Sequence, residues 1–338
     1  MNRTLAITLA LMVTACSGGG DSGSSDSSKT GYLTFDGIAG LSYRTASKSG
    51  VTDKYGRFKY KSGETITFYL GDIIFAQDIP TKPYITIIDF DPDLVDTIDQ
   101  GTLVRGLTDH TPLVEDAAEE THIVNMTRLL NGLSYPPSNQ PDNEALIVIS
   151  AEARSAVEAY TFSSPIDFYE DTGEFGDPEL PDDVENVFIN DICLAVENIQ
   201  CRNDSVKEMP SVEQAETFAT YQNVEITDLI ASKVFLSPSI LEINATDEKI
   251  YKVSISAVGY SLNITDLEVK STDELPDSDG NFPDPPRSVA GVQFASADNK
   301  NFGVYATGEP GQETSVVANF KLAGDYRWFK KTLRVRLK

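Results

Sequence analysis

The chain has 338 residues, with 52 acidic against 27 basic side chains, a formal net charge of −25, 40% hydrophobic residues, three cysteines and two histidines. That length and apolar content suit roughly two or three domains with their own cores and exclude a wholly disordered chain. Such an acid surplus repels phosphate backbones, so no nucleic-acid partner is expected, and two histidines cannot build a three-histidine zinc centre.

In chain order, the first element is an export signal, residues 1–15. Arg3 precedes an apolar run over 5–13 that is too short to span a bilayer, and Val13-Thr14-Ala15-Cys16 closes it with small residues before a cysteine. This ending resembles the lipobox of bacterial lipoproteins. The resemblance implies cleavage before Cys16, diacylglycerol on its thiol, and a membrane partner held through lipid. Residues 16–30 then form the lipidated cysteine and a Gly/Ser-rich tether with a root-mean-square reach of about 20 Å. Several acyl chains anchor stably, each buried methylene contributing about 0.8 kcal/mol. By the sorting rule of enteric bacteria Ser17 favours the outer membrane; the inner membrane, facing the periplasm, is the alternative address.

Residues 31–105 are read as a small β domain. Tyr32, Phe35, Leu41 and Tyr43, then Phe58 and Tyr60, then Ile66, Phe68 and Leu70 alternate at period two, with turn signals at Asp53-Lys-Tyr-Gly56 and Ser62-Gly63. The runs Gly37 to Tyr43, Gly50 to Tyr60 and Gly63 to Gly71 resemble prealbumin-like or carboxypeptidase-regulatory-like modules of envelope proteins, which implies an accessory scaffold. A proline- and acid-rich connection follows through Asp89, Asp91, Asp93, Asp96 and Asp99.

Residues 106–228 read as mainly helical. Ile123, Met126, Leu130 and Leu133 share one helix face that stops at Pro136, and further helices are expected over 150–160, 182–194 and 211–222, the last opened by the capping box Ser211-Val-Glu-Gln214. The stretch Ile123-Val-Asn-Met-Thr-Arg-Leu-Leu-Asn-Gly-Leu133 resembles a segment found beside the module above in lipoproteins of marine gammaproteobacteria. There an acidic Asp/Gly loop usually follows; here Ser134-Tyr-Pro-Pro-Ser-Asn-Gln-Pro-Asp142 replaces it, so a calcium site in that loop does not carry over. Residues 232–338 return to period two, with Tyr251, Val253, Ile255 and Ala257 on one face and Leu333, Val335 and Leu337 on another. About seven strands in this span point to an immunoglobulin-like β-sandwich. The whole is a multidomain, mainly β chain with a helical middle.

Cys193 and Cys201, eight apart in an exported chain, are expected to form a disulfide; a zinc pair lacks further ligands at finger spacing. No G-x-S-x-G, H-E-x-x-H or P-loop pattern occurs, so no catalytic residue, metal or cofactor is assigned. His110 and His122 are read as structural. Asp167 with Glu170, or Glu170 with Glu174, could serve as carboxylate pairs, but 52 acids produce such pairs everywhere. Asp277-Ser-Asp279-Gly-Asn281 begins like a calcium loop and lacks its glycine and terminal glutamate, so it reads as an acidic loop.

At the C-terminus Arg327, Lys330, Lys331, Arg334, Arg336 and Lys338 occur with no acid after Asp325. They read either as the outward face of a last strand paired with carboxylates, or as a docking edge for lipid headgroups or an acidic partner, with Trp328 and Phe329 as its apolar anchor.

The overall plan resembles lipoproteins that accompany outer-membrane channels for long-chain hydrocarbons and fatty acids. That implies a non-enzymatic accessory component with a channel protein and an apolar small molecule as partners. The helical middle is expected to offer apolar faces lining a groove between the two β modules. A surface adhesin or polysaccharide binder, and an envelope hydrolase, are the alternatives.

Overall fold

The computed structural model describes residues 28–136, 147–177, 179–180, 182–201, 209–245, 249–259, 262–277, 281, 290–295 (backbone only) and 299–338. The first half opens with β1 (Lys29–Leu33), β2 (Ile38–Ala39), β3 (Ser42–Thr45), β4 (Ser49–Val51), β5 (Arg57–Tyr60), β6 (Thr65–Leu70), β7 (Ile73–Pro80) and β8 (Tyr84–Ile85). β1 lies between antiparallel β5 and parallel β8, and the order β4-β3-β6-β7 makes a second sheet. The turn into β5 forms as its residues dictate: Asp53 accepts the N–H groups of Tyr55 and Arg57, both at 3.0 Å, and Gly56 takes the positive φ.

The acid-rich connection is not a loop. It holds α1 (Pro92–Gln100), capped by Asp91, whose carboxylate accepts from Asp93 and Leu94, with Pro92 in the first turn where its missing N–H costs nothing. The hairpin β9 (Thr102–Val104) and β10 (Leu107–Asp109) follows, then α2 (Thr111–Ala118) and α3 (Thr121–Gly132), β11 (Ile147–Val148), α4 (Ala151–Ala159), α5 (Val184–Ala195) and α6 (Val212–Ser232). β11 pairs in parallel with β2, tying the helical segment into the β domain. Gly40 makes that approach possible: a Cβ there would sit 2.0 Å from the carbonyl oxygen of Ile149, at a φ of +86°. Leu33, Phe58 and Phe68 belong to the same buried cluster as Ile123 and Leu130 of α3 and Phe188 of α5. The segments 31–105 and 106–228 therefore share one core and pack as a single unit, so the boundary placed at 105 separates no cores.

The C-terminal unit contains β12 (Val234–Ser237), β13 (Ile240–Ile243), β14 (Tyr251–Ala257), β15 (Ile264–Ser271), β16 (Ala290–Ala295), β17 (Asn301–Ala306), β18 (Glu313–Leu322) and β19 (Trp328–Leu337). They form two four-stranded sheets, β12-β14-β17-β16 and β13-β19-β18-β15. Lettering β12 and then β14 to β19 as A to G, the sheets read A-B-E-D and G-F-C, the immunoglobulin order, with β13 added parallel to the last strand. Val253, Phe302, Phe320 and Val335 fill the space between them.

The two units meet along α6. Its capping box forms as the sequence predicts, but the helix runs on to Ser232 instead of stopping at 222. Phe218 and Ala219 are buried in the first core, Ile226 and Ile230 in the second. Tyr326, from the turn between β18 and β19, reaches back into the first core.

Candidate functional site

Cys16, the expected export signal, residues 17–27 of the expected tether, residues 137–146 and Asp279 lie outside the described residues. Cys193 and Cys201 are both buried and joined, with S–S 1.95 Å and Cα–Cα 5.7 Å. The bridge ties the chain after α5 back to that helix, and Cys201 N–H donates to Gly132 O at the end of α3 at 3.1 Å. Asp277 accepts the Asn281 N–H at 2.9 Å, a local turn bond.

The basic C-terminal stretch is divided by the strand's alternation. Arg327 is fully buried, Trp328 is 9% exposed and Phe329 is 0% exposed, so these three do not belong to a surface docking edge and Trp328 and Phe329 anchor nothing outside the molecule. Their place where the chain enters β19, against α6 and the first unit, explains the difference. Lys330, Arg334 and Arg336 do face outward, and each has a carboxylate: Asp109 for Lys330, and Glu313 for both Arg334 at 3.7 Å and Arg336 at 2.7 Å. Lys331 is half-buried, with Asp228 as its electrostatic partner. The apolar face of α3 is likewise consumed: Ile123, Met126 and Leu130, with Leu133 just past the helix end, are buried in the first core and line no groove between the modules.

The strongest electrostatic feature is a charge cluster between the units, with Arg327 and Asp89 buried and Lys82 and Asp325 at its edge. Arg327 donates to Asp325 at 2.9 Å and lies 3.9 Å from Asp89, while Lys82 meets Asp89 at 2.5 Å. The Tyr326 ring is near both cations, 4.5 Å from the Arg327 guanidinium and 4.7 Å from the Lys82 ammonium. Burial opposes the charge on Arg327, but Asp325, Tyr326 and Asp89 outweigh it and raise the guanidinium's pKa. Burial also opposes ionisation of Asp325, and Arg327 and Lys82 overcome it, holding that carboxyl below its ordinary range. Two cations and two carboxylates balance, which is the condition under which buried ions are tolerated. Asn223 of α6 donates to the Tyr326 hydroxyl at 2.5 Å and ties that helix to the cluster.

His110 borders this cluster. Trp328 N–H donates to its Nδ1 at 3.1 Å, which leaves the ring proton on Nε2, facing Thr227 Oγ1 at 3.4 Å. Burial, with Arg327 adding to it, pushes the imidazole pKa down to about 4, so the ring is neutral at pH 7. His122 is held elsewhere, its Nε2 2.8 Å from Asp91 and its ring stacked on Tyr169 at 4.7 Å. Both histidines bind elements of the fold together.

Of the carboxylate pairs read from the sequence, the structure keeps Glu170 and changes its company. Asp167 is exposed and accepts its own Tyr169 N–H, whereas Glu170, Asp183 and Glu185 bring carboxylate oxygens within 4.8 Å of one another. Burial, then the Asp183 and Glu185 charges, raise the Glu170 pKa to about 7. Glu185 accepts Asp167 N–H at 2.7 Å, and Asn125 of α3 pins the loop through the carbonyls of Phe168 and Glu170. Three such oxygens are of the kind that hard divalent cations take, and no local spacing in the sequence announces the trio. Lys82 and Tyr326 carry no local signal in the sequence, and Asp89 reads only as part of an acid-rich connection; the one local sign is Asp325 two residues before Arg327, whose N–H it accepts at 3.1 Å. No family model matches this chain, and no curated protein matches it.

Proposed function

We propose that the chain is a non-enzymatic lipoprotein of the bacterial cell envelope, an accessory component in the uptake of hydrophobic substrates such as long-chain alkanes together with an outer-membrane channel. The observation that carries this reading is Val13-Thr14-Ala15-Cys16 followed directly by a Gly/Ser-rich stretch. A lipid on Cys16 and a tether of about 20 Å would hold a folded body beside a membrane without inserting it. The net charge of −25 supports a lipid attachment, because an anionic bilayer repels so acidic a body. No helix among the described residues is long and apolar enough to cross a membrane.

Two experiments test the reading. Cys16→Ala should leave the protein soluble or unprocessed on fractionation; a variant that is cleaved and still pellets after a high-salt wash refutes the anchor. A deletion strain of the source bacterium should grow slowly on hexadecane and normally on acetate. Normal growth on both refutes the uptake role and favours the adhesin alternative, which an immunoglobulin-order sandwich also suits.

A further inference from the structure

We propose that the groove between the β9–β10 hairpin and the C-terminal sandwich binds the head and first carbons of a free long-chain carboxylate, with Arg105 as the receptor for the head. This deepens the uptake reading and rests on it for the biological role of the ligand. The groove has a volume of about 440 Å³, within the range of small-molecule sites, and it lies where two units meet, as such sites often do. Val104 and Leu107 from the hairpin face Leu275 and Pro276 from the sandwich, with Arg105 and Lys330 beside them. In a chain with about twice as many acids as bases, the described lining holds two cations and no acid.

The two cations differ. Lys330 is already engaged by Asp109, whereas Arg105 is exposed and makes no ion pair among the described residues. Arg105 also occupies a costly position. It and Gly106 are the two central residues of the hairpin turn, with φ of 49° and 77°, a turn for which Asn-Gly is the favoured pair. The backbone preference of the turn therefore does not account for an arginine at this position. The turn is clamped from below, where Lys270 donates to Gly106 O and Leu275 packs against Gly106. The guanidinium therefore stands on a fixed backbone at the edge of an apolar trough. A guanidinium pairs with a planar carboxylate through two parallel hydrogen bonds, and aliphatic walls take the adjoining methylenes. A single free carboxylate suits this recess better than an anionic bilayer does, since the net charge of −25 opposes approach to a charged surface.

The test is equilibrium dialysis of hexadecanoate, below its micellar concentration, against the purified full chain and its Arg105→Asn variant. Asparagine relieves the turn, so the variant should melt at the same temperature or higher, which separates a binding defect from a folding defect. Hexadecanoate affinity should fall about tenfold or more in Arg105→Asn, be partly restored in Arg105→Lys, and hexadecan-1-ol should bind both proteins equally and more weakly. Equal hexadecanoate affinity in wild type and Arg105→Asn overturns the site. Hexadecan-1-ol binding as tightly as hexadecanoate overturns the carboxylate head and leaves the broader uptake reading standing. Arg105-dependent capture of phosphatidylglycerol vesicles without binding of free hexadecanoate overturns the assignment in favour of a membrane surface.

Discussion

Arg327→Met should be among the most damaging single substitutions in the molecule. Methionine fills much of the same volume but leaves Asp325 and Asp89 with Lys82 alone, converting a balanced buried cluster into one with a net negative charge. Removing one partner of a buried pair costs about 3–5 kcal/mol, most of it the penalty on the ion left behind. Urea denaturation at pH 7 should show that loss. The origin of the penalty fixes two further outcomes. In wild type the depressed Asp325 pKa contributes stability that is present above the unfolded value and lost as pH falls through the folded one. In the variant burial acts unopposed by Arg327 and the carboxyl takes up a proton more readily, so the difference between the two proteins should shrink as pH is lowered from 7 towards 4. Adding Asp325→Asn to Arg327→Met should recover most of the stability, because the orphaned charge is then gone. A loss under about 1 kcal/mol, or a double variant no more stable than Arg327→Met, would refute the reasoning.

Two other outcomes follow from the geometry. Cys193 and Cys201 should resist thiol reagents until reduced, and Cys193→Ser should cost about 2–3 kcal/mol, the loop-closure value for a bridge spanning eight positions. Glu170 has a folded-state pKa raised to about 7, so the native state loses stability as pH rises from the unfolded value through about 7, and Glu170→Gln should be more stable than wild type at pH 8 by about 1 kcal/mol after solvent screening, with the difference vanishing near pH 5 in paired melting curves.

What the sequence discloses here is local. The Ser211 capping box, the Asp53–Gly56 turn, the disulfide and the alternation of the sandwich strands each depend on residues within about ten positions, and each forms. The helix over Pro92–Gln100 was equally local, announced by Asp91-Pro92 at one end and Gly101 at the other, but acid density outweighed the caps and the segment read as a connection. The extent of α6 was not local. Val224, Ile226 and Thr227 are β-branched and argue against helix, and the helix continues because Ile226 and Ile230 bury themselves in a core made by strands not yet reached in the chain. The same distance defeats the reading of charge. Arg327 in a basic stretch reads as surface until Asp89, more than two hundred positions away, is brought beside it.

The junction joins these threads, because both faces of β10 are committed there. Asp109 and His110, at its end, meet Lys330 and Trp328, on the side of the buried ion cluster. Thr108 gives its N–H and hydroxyl to Glu268 at 2.9 and 2.5 Å, and its carbonyl accepts from Asn319 at 2.8 Å. Burial would raise the Glu268 pKa, but these bonds hold it below the ordinary range, so the carboxylate stays charged and the hairpin stays fixed to β15 and β18. The trough under Arg105 is thus walled by two units whose relative position is set twice over, once by hydrogen bonds at Thr108 and once by the salt cluster at Arg327. An apolar trough that depended on side-chain packing alone would close on itself when empty; one whose walls are held apart by charged and hydrogen-bonded struts keeps its shape for a ligand and avoids the ordering cost that a collapsible groove would impose on binding.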